Sequence, residues 1–284
     1  MDVNSASLQI IADLLRARTG QHLGTGRMWR IPGALAGLFR QHDISNVDQL
    51  VCLLAAPRAD KLAREVVEAL LNNETYFYRD RVMFDMLGEK TLPALWEKRK
   101  SQRSLRIWSA GCSSGQELYS IAMLLSAQQE RWADWKLELV GTDVSERIIG
   151  NARNGSFSQF EVQRGLTVAQ MLKYFDQGEA AWQPKPELRR MVHFRQHNLL
   201  DPPPVEGPFD LILCRNVLLY FDPEVRDRVF KRLDEALAPD GLLMLGAGET
   251  VVGQTNRFVP ASNPTGLYAP APAGSVSLQG RRRA

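Results

Sequence analysis

The sequence contains few cysteines and few histidines, and their spacing gives little sign of disulfides or metal ligands. The three cysteines, Cys52, Cys112 and Cys214, lie far apart and leave one unpaired in any scheme, which is typical of reduced thiols in a cytoplasm. Of the four histidines, only His193 and His197 are four residues apart, and in a strand such residues lie about 13 Å from each other. We therefore expect no metal site.

The sequence also lacks a long apolar run and a strong excess of basic residues. No stretch reaches the roughly 20 apolar residues that span a bilayer, and the N-terminal segment has the pattern of an amphipathic helix, not of a signal peptide. The net charge of +3 is far from the strongly basic composition of nucleic-acid-binding proteins. These absences predict a cytoplasmic protein that neither inserts into a membrane nor binds nucleic acid, and we expect a monomer.

The chain contains enough apolar residues to form a large core, because 44% of its 284 residues are hydrophobic. Residues 1–75 carry apolar side chains at helical spacing, such as Leu8, Ile11 and Leu15, which predicts a small all-helical N-terminal domain. In residues 76–270, short apolar runs such as FDLILC alternate with longer helical stretches. This rhythm is typical of a doubly wound α/β domain.

Two segments depart from that rhythm. The segment from about 156 to 197 is longer than a crossover connection needs, which predicts an inserted subdomain. Residues 271–284 are rich in proline, alanine and glycine, and predict a flexible tail or linker. Because doubly wound sheets bind ligands at the carboxyl ends of their strands, the candidate site residues are those that follow each predicted strand.

The first predicted strand runs through a glycine-bearing turn into a helix. Gly111 and Gly115 lack side chains, so a ligand can approach the backbone closely at the helix N-terminus. The spacing is G-x-x-x-G, not the dinucleotide pattern, and Glu117 in the first helical turn would repel a pyrophosphate but attract an ammonium group. This favours S-adenosylmethionine over NAD, with a plain strand-to-helix turn as the alternative.

Polar residues also follow the next three strands. Asp143 can accept hydrogen bonds from ribose hydroxyls, or it can cap the helix that follows. Asn198 and Leu199 follow the third strand, where side-chain and backbone groups can bind the edge of an adenine. Arg215 and Asn216 follow the fourth strand. Polar residues at four strand ends together indicate a ligand site more strongly than any one of them.

Five motifs occur in an order and spacing that resemble the CheR-type chemotaxis receptor methyltransferases. They are NNETYFYRD, SAGCSSGQELYSIAM, GTDVS, HNLLD and CRNVLLYFD. The resemblance implies a Rossmann-like class I methyltransferase domain with a small inserted β-subdomain, preceded by a helical domain. It implies a protein-glutamate O-methyltransferase that uses S-adenosylmethionine, requires no metal and acts on the cytoplasmic helices of methyl-accepting receptors.

The resemblance also assigns roles to residues. It implies that one element closes over the cofactor, that Glu117 binds the methionine ammonium and Asp143 the ribose, and that two residues contact adenine. Two further residues would line the pocket for cofactor and substrate. The residues of the closing element are Asn73, Thr75 and Arg79. The two adenine contacts are Asn198 and Leu199, and the two pocket residues are Arg215 and Asn216.

Arg79 and Tyr220 match the family's catalytic pair. A glutamate side chain, with a pKa of about 4.3, is ionised at neutral pH, so methyl transfer to it needs no general base. Arg79 can present a planar fork to this carboxylate, and the Tyr220 hydroxyl can donate a hydrogen bond near the reacting atoms. If each residue is considered without its motif, a surface ion pair is the simpler interpretation of Arg79 and a core position is the simpler interpretation of Tyr220. Because both residues lie within family motifs, the resemblance favours a catalytic role for them.

The segment DQGEAAWQP is short and has a single glycine, Gly178, where some family members bind a pentapeptide at the receptor's C-terminus. We therefore expect no pentapeptide tethering. Three alternatives to receptor methylation stay open: a methyltransferase of the same fold acting on another carboxylate, a Rossmann oxidoreductase, and a signalling module that binds the cofactor without catalysis. The missing third glycine disfavours the oxidoreductase.

Overall fold

The computed structural model describes residues 4–204, 207–261 and 266–272. The chain divides into two compact units, a first unit of Met1–Asn73 with Leu219–Val225 and a second unit of Glu74–Leu218 with Arg226–Ala284. Most of the predicted tail, residues 273–284, lies outside the described residues. No helix in the described part of the chain is both long and apolar enough to cross a bilayer.

The first unit is built from helices, as predicted. They are α1 (Ser5–Thr19), α2 (Arg30–Gln41), α3 (Val47–Leu54) and α4 (Asp60–Leu70). The Asn4 side chain caps α1 by accepting the Ala6 N–H at 3.0 Å, which is the usual way to satisfy a helix N-terminus. Apolar residues at helical spacing, including Ile11, Leu35 and Val66, meet in one buried cluster. This cluster is the core of the unit.

The second unit contains a seven-stranded sheet and a two-stranded hairpin. The strands are β1 (Ser104–Ala110), β2 (Lys136–Asp143), β3 (Phe175–Gln177), β4 (Trp182–Pro184), β5 (Val192–Gln196), β6 (Phe209–Cys214), β7 (Leu237–Leu245), β8 (Phe258–Pro260) and β9 (Leu267–Pro270). The order in the main sheet is β5-β2-β1-β6-β7-β9-β8. The first five of these pair in parallel, and β9 and β8 are antiparallel.

The chain contains further helices. They are α5 (Arg81–Met86), α6 (Leu92–Arg99), α7 (Gln116–Ser126), α8 (Glu146–Asn154), α9 (Gln159–Gln163), α10 (Val168–Tyr174), α11 (Pro186–Met191) and α12 (Pro223–Ala236). α7 connects β1 to β2, α8 to α11 lie between β2 and β5, and α12 connects β6 to β7, as in a doubly wound fold. A single π-turn, Leu87–Thr91, joins α5 to α6. The prediction of a Rossmann-like class I methyltransferase fold is confirmed.

The predicted insertion of about 156–197 contains α9, α10, the β3–β4 hairpin and α11. Val192–Gln196, at the end of this segment, is the edge strand β5 of the main sheet and pairs in parallel with β2; it is the third strand that the sequence predicts before Asn198. The alternation of buried Val192 and Phe194 with exposed His193 and Arg195 is the period of a strand with one covered face. The predicted domain limits themselves stay a prediction.

Candidate active site

The turn from β1 into α7 requires its two glycines. Gly111 and Gly115 have φ angles of 85° and 94°, in the left-handed region that favours glycine. A Cβ atom on Gly111 would lie 2.5 Å from Val217 Cγ2, and one on Gly115 would lie 2.8 Å from Phe194 Cζ. The N–H groups of Gly111 and Cys112 both donate to the Thr142 carbonyl at 2.8 Å. The turn is therefore fixed against the end of β2, and side chains are excluded from it.

Glu117, in the first turn of α7, belongs to a charge group at the ends of β1 and β6, in which Arg215 is buried and the carboxylates of Glu117 and Asp80 are half-buried. Its Oε1 accepts a hydrogen bond from Ser109 Oγ at 2.8 Å, and its Oε2 accepts one from Arg215 Nη1 at 2.8 Å. Arg215 Nη2 also donates to Asp80 Oδ2 at 2.8 Å and to the Arg79 carbonyl at 2.7 Å. The Arg215 side chain, only 1% exposed, thus joins two carboxylates and the backbone before α5.

The net charge of this group follows from its members. One guanidinium lies between the Glu117 and Asp80 carboxylates, so the three side chains together carry one negative charge. Asp143 adds a further carboxylate beside the glycine turn, where its Oδ2 accepts the Ser113 N–H at 3.0 Å. This part of the second unit therefore favours a cationic ligand group over a pyrophosphate, as the sequence predicts for Glu117.

Asp143 does not cap the helix that follows it. The N-cap of α8 is Ser145, whose Oγ accepts the Ile148 N–H at 3.1 Å. Asp143 Oδ1 instead accepts the Ser145 N–H at 3.0 Å, so its carboxylate is oriented by backbone donors from two loops.

Asn198 and Leu199 follow β5 in a tight turn. Asn198 Oδ1 accepts the Leu200 N–H at 3.1 Å, and its carbonyl accepts the Asp201 N–H at 2.9 Å. The Leu199 side chain is buried, while Asn198 is half-buried. The preceding His197 N–H donates to the Asp143 carbonyl at 2.9 Å, so this turn and the Asp143 loop lie side by side.

The segment before α5 is held by two aromatic residues. Phe77 is fully buried and packs edge-on against Phe157 at 5.1 Å, while the Tyr78 N–H donates to Ser120 Oγ at 3.0 Å. Thr75 and Arg79 on either side are half-buried. Arg79 Nη1 donates to the Glu74 carbonyl at 2.9 Å, which leaves other donors of the guanidinium to bind a ligand.

Glu249 is a site residue that the sequence analysis missed. Its carboxylate accepts the backbone N–H groups of Asn216, Val217, Leu218 and Gly246, at 2.7 to 3.0 Å. It thereby holds the loop after β6, in which Asn216 has a φ of 60°. A glutamate beyond the last parallel strand has no motif of its own, and only the sheet order brings it to this loop.

The other predicted residues lie in the first unit. Asn73 is its last residue before the second unit begins. The Tyr220 hydroxyl accepts a hydrogen bond from Asn72 Nδ2 at 2.7 Å, and its carbonyl accepts the His22 N–H at 2.7 Å. Tyr220 is therefore a half-buried residue with a defined hydroxyl position, not a core aromatic residue.

Comparisons with known proteins agree on one family. The model of the CheR methyltransferase, SAM binding domain, matches residues 73–267. Chemotaxis protein methyltransferase Cher2 of Pseudomonas putida is 35% identical over 248 residues, which cover 86% of this chain and 90% of that protein. A chemotaxis protein methyltransferase of Vibrio parahaemolyticus is 34% identical over 258 residues, covering 89% and 93%. Chemotaxis protein methyltransferase 1 of Pseudomonas aeruginosa is 35% identical over 255 residues, covering 88% and 92%.

Proposed function

The chain belongs to the CheR methyltransferase family, and we propose that it methylates glutamate side chains on the cytoplasmic helices of a chemotaxis-type receptor. The methyl donor is S-adenosylmethionine, and the products are a glutamyl methyl ester and S-adenosylhomocysteine. The observation that carries the proposal is the group formed by buried Arg215 with the half-buried Glu117 and Asp80 beside the glycine turn, whose net negative charge suits a cationic cofactor. The relatives are named chemotaxis protein methyltransferases, which supports a methyl transfer reaction in chemotaxis.

The proposed cofactor contacts follow the strand ends. Glu117 binds the methionine ammonium, Asp143 binds the ribose hydroxyls, and Asn198 and Leu199 bind the adenine. The left-handed backbone of Gly111 and Gly115 supports this assignment, because it forms the tight turn that sets the N-terminus of α7 beside the end of β1. Contacts from a further set of residues belong to the same proposal: Asn73, Thr75, Arg79, Arg215 and Asn216.

The chemistry needs orientation more than proton transfer. S-adenosylmethionine supplies a methyl group on a positively charged sulfur. The substrate carboxylate oxygen forms a bond to the methyl carbon as the carbon–sulfur bond breaks, and the electron pair of that bond stays on sulfur. No proton moves, because the carboxylate is already ionised at neutral pH. The residues of the chain therefore act by aligning the carboxylate and by excluding water.

We propose Arg79 as the residue that aligns the substrate carboxylate. Its position is fixed from both sides, since its carbonyl accepts a bond from Arg215 and its Nη1 binds the Glu74 carbonyl. The guanidinium keeps a planar set of donors that matches a carboxylate. Tyr220 stays the second predicted catalytic residue, on the strength of its place in the motif and of a hydroxyl already oriented by Asn72.

Alkali-released methanol tests this proposal. Methyl esters hydrolyse in base and methylated nitrogen does not, so the protein is incubated with methyl-labelled S-adenosylmethionine and receptor-bearing membranes from its own source. Arg79→Lys keeps the charge but loses the planar fork. We expect it to bind S-adenosylhomocysteine more weakly, because Arg79 is also a proposed cofactor contact. At saturating cofactor we expect it to release label about 100-fold more slowly, because misalignment of reacting groups costs about that factor.

Arg81→Lys is the matched control. Arg81 lies two residues further along the same segment and pairs with Asp85 on the surface of α5, at 3.3 Å. We expect its label release to equal that of the unchanged protein. Release that is equally slow in both variants would show a general disturbance of the segment, and full release from Arg79→Lys would remove Arg79 from the mechanism. No released label from the unchanged protein, despite cofactor binding, would contradict receptor methylation.

A further inference from the structure

The segment that carries Arg79, residues 74–80, lies against the inserted subdomain. Its Phe77 side chain is fully buried, and the rings of Phe157 and Phe175 pack edge-on against it, with centroid distances of 5.1 and 5.4 Å. Phe175 begins β3, and Phe157 exchanges backbone hydrogen bonds with β4. The subdomain therefore holds the central side chain of the Arg79 segment, and all of these residues belong to the second unit.

The turn between α9 and α10 contacts the backbone of the same segment. Gly165 lies in this turn with a φ of 109°, in the left-handed region that favours glycine. A Cβ atom at this position would clash with the Phe77 carbonyl oxygen, so the two backbones pack together without an intervening side chain. Arg164, the residue before Gly165, therefore lies next to the Arg79 segment.

Arg164 contacts two residues of the Arg79 segment. Its Nη2 pairs with Glu74 Oε1 at 2.6 Å, and its guanidinium lies over the Tyr76 ring, 4.3 Å from the centroid. The hydrogen bond from Arg164 lowers the pKa of the Glu74 carboxyl, so this carboxylate is ionised at neutral pH. The two paired side chains are 41% and 52% exposed, and exposed pairs contribute little to the free energy of unfolding. The main effect of the pair is therefore on the conformation of the segment.

Arg79 is bound by the same two residues. Its Nη1 donates to the Glu74 carbonyl at 2.9 Å, and its guanidinium lies 5.8 Å from the centroid of the Tyr76 ring. Arg164 thus holds Glu74 by its carboxylate, while Arg79 binds the carbonyl of the same residue. A displacement of Glu74 or Tyr76 would therefore change the direction of the Arg79 guanidinium.

We propose that Arg164 is a positioning residue for methyl transfer, because it fixes the residues that orient Arg79 towards the substrate carboxylate. The inference rests on the proposed function, in which Arg79 aligns that carboxylate. Small displacements of aligning groups are costly in catalysis, even when they arise away from the reacting atoms. Arg164 contacts neither cofactor nor substrate in this role. The inserted subdomain thereby contributes to the reaction independently of receptor binding.

A double-mutant cycle tests the coupling between Arg164 and Arg79. Label release is measured at saturating S-adenosylmethionine and saturating receptor for Arg164→Ala, for Arg79→Lys and for the variant with both substitutions. We expect Arg164→Ala to release label about tenfold more slowly, because a displaced aligning group costs less than a lost one. We expect no further slowing when it is added to Arg79→Lys, in which the planar fork is already lost. Independent effects would multiply instead.

Arg190→Ala is the matched control, since Arg190 is an exposed arginine of the same subdomain, on α11. We expect its rate of label release to equal that of the unchanged protein, and we expect Arg164→Ala to keep the thermal unfolding midpoint of the unchanged protein. An equal loss from Arg164→Ala in both backgrounds would overturn the proposal. A raised KM for the receptor with an unchanged rate at saturation would also overturn it, because Arg164 would then act by binding the receptor.

Amide hydrogen exchange provides a measurement that does not require activity. We expect residues 74–80 to exchange faster in Arg164→Ala than in the unchanged protein or in Arg190→Ala, because the segment loses a contact that orders it. If the unchanged protein releases no label, the proposed function fails, and faster exchange in these residues would still support positioning of the segment by Arg164. Unchanged exchange would overturn the inference, whatever the rate of label release.

Discussion

Single residues in this protein carry several contacts each, and Glu249 is the clearest case. One carboxylate accepts four backbone N–H groups, three of them from the loop that follows β6. Hydrogen bonds to an ionised acceptor are about twice as strong as neutral ones. The left-handed conformation of Asn216 in that loop is unfavourable without such support. We therefore assign Glu249 the role of a positioning residue for the proposed site.

Glu249→Gln tests that role with almost no change of shape. The amide oxygen can still accept two of the N–H groups, but the NH₂ group would face the other two donors. We expect the free energy of unfolding to fall by about 2 kcal/mol, the cost of leaving buried donors unsatisfied. Cofactor binding should weaken as well, because the loop carries Asn216.

Glu97→Gln provides the comparison for Glu249→Gln. The Glu97 side chain is 66% exposed and forms only a long surface pair with Lys100, at 3.8 Å. Urea unfolding and calorimetry with S-adenosylhomocysteine are measured on both variants. Glu249 would lose its assigned role if its variant behaved like Glu97→Gln in both measurements.

At the scale of elements, the sequence predicts a helix or strand most clearly where its hydrophobic pattern fits one kind of element. β6, written FDLILC, is buried at every residue and is central in the sheet. β5 is the third strand that the sequence predicts before Asn198, and only Val192 and Phe194 of its five residues are buried, as expected of an edge strand. The capping boxes of Ser158 and Thr167 carry the sequence signature of the short helices α9 and α10.

The β3–β4 hairpin bears on how the receptor is engaged. Each strand has three residues, and the turn is closed by the Gly178 N–H, which donates to the Ala181 carbonyl at 2.9 Å. Phe157 occupies the other edge of β4, exchanging hydrogen bonds of 2.9 and 2.8 Å with Trp182. A tethering peptide that adds a strand has only the short edge of β3 available. This geometry supports an enzyme that does not depend on a pentapeptide tether.

Two measurements check tether independence. We expect calorimetry to show no binding of the pentapeptide that forms the C-terminus of receptors that tether the enzyme. We also expect the same rate of label release from a receptor with these five residues and from one without them. Tight binding, or a slower reaction after their removal, would contradict the proposal; the tether-free receptor serves as the internal control.

For the whole molecule, the sequence predicts the helical and the Rossmann-like fold, and it proposes a site from residues that follow the strands in order. Glu117, Asp143 and Asn198 each follow a strand of the parallel sheet, so one topological rule brings their strand ends together. Asp80, which pairs with Arg215 from the segment before α5, follows no strand, so this rule does not place it. Its contact depends on tertiary packing and on its positive φ, neither of which leaves a periodic signal.

Two buried thiols affect the stability of the second unit in alkali. Burial raises the pKa of Cys112 and Cys214 well above the ordinary value, and the nearby carboxylates Asp143 and Glu249, respectively, raise it further. The folded unit therefore keeps both thiols protonated over a pH range in which the unfolded chain ionises them. Cys52 is exposed. Ionisation of buried Cys112 and Cys214 therefore makes the stability depend on pH, and exposed Cys52 serves as a control.

The direction of the effect follows from proton linkage. Below about pH 8.5 the thiols are protonated in both states, so their contribution to stability is complete. As the pH rises towards their raised folded pKa values, the unfolded chain binds fewer protons, and the free energy of unfolding falls by about 1.4 kcal/mol per pH unit for each thiol. Tryptophan fluorescence during urea unfolding reports mainly the second unit, which contains five of the six tryptophans.

We expect the double variant Cys112→Ala/Cys214→Ala to lose most of this alkaline slope and Cys52→Ala to retain it. The absolute stability of the double variant will be lower, because two core side chains become smaller, so the comparison is between slopes. An unchanged slope in the double variant would mean that other groups, such as the buried Tyr119, govern alkaline unfolding. A reduced slope would mean that protonated thiols at the ends of β1 and β6 contribute to the stability of the strand ends that carry the proposed site.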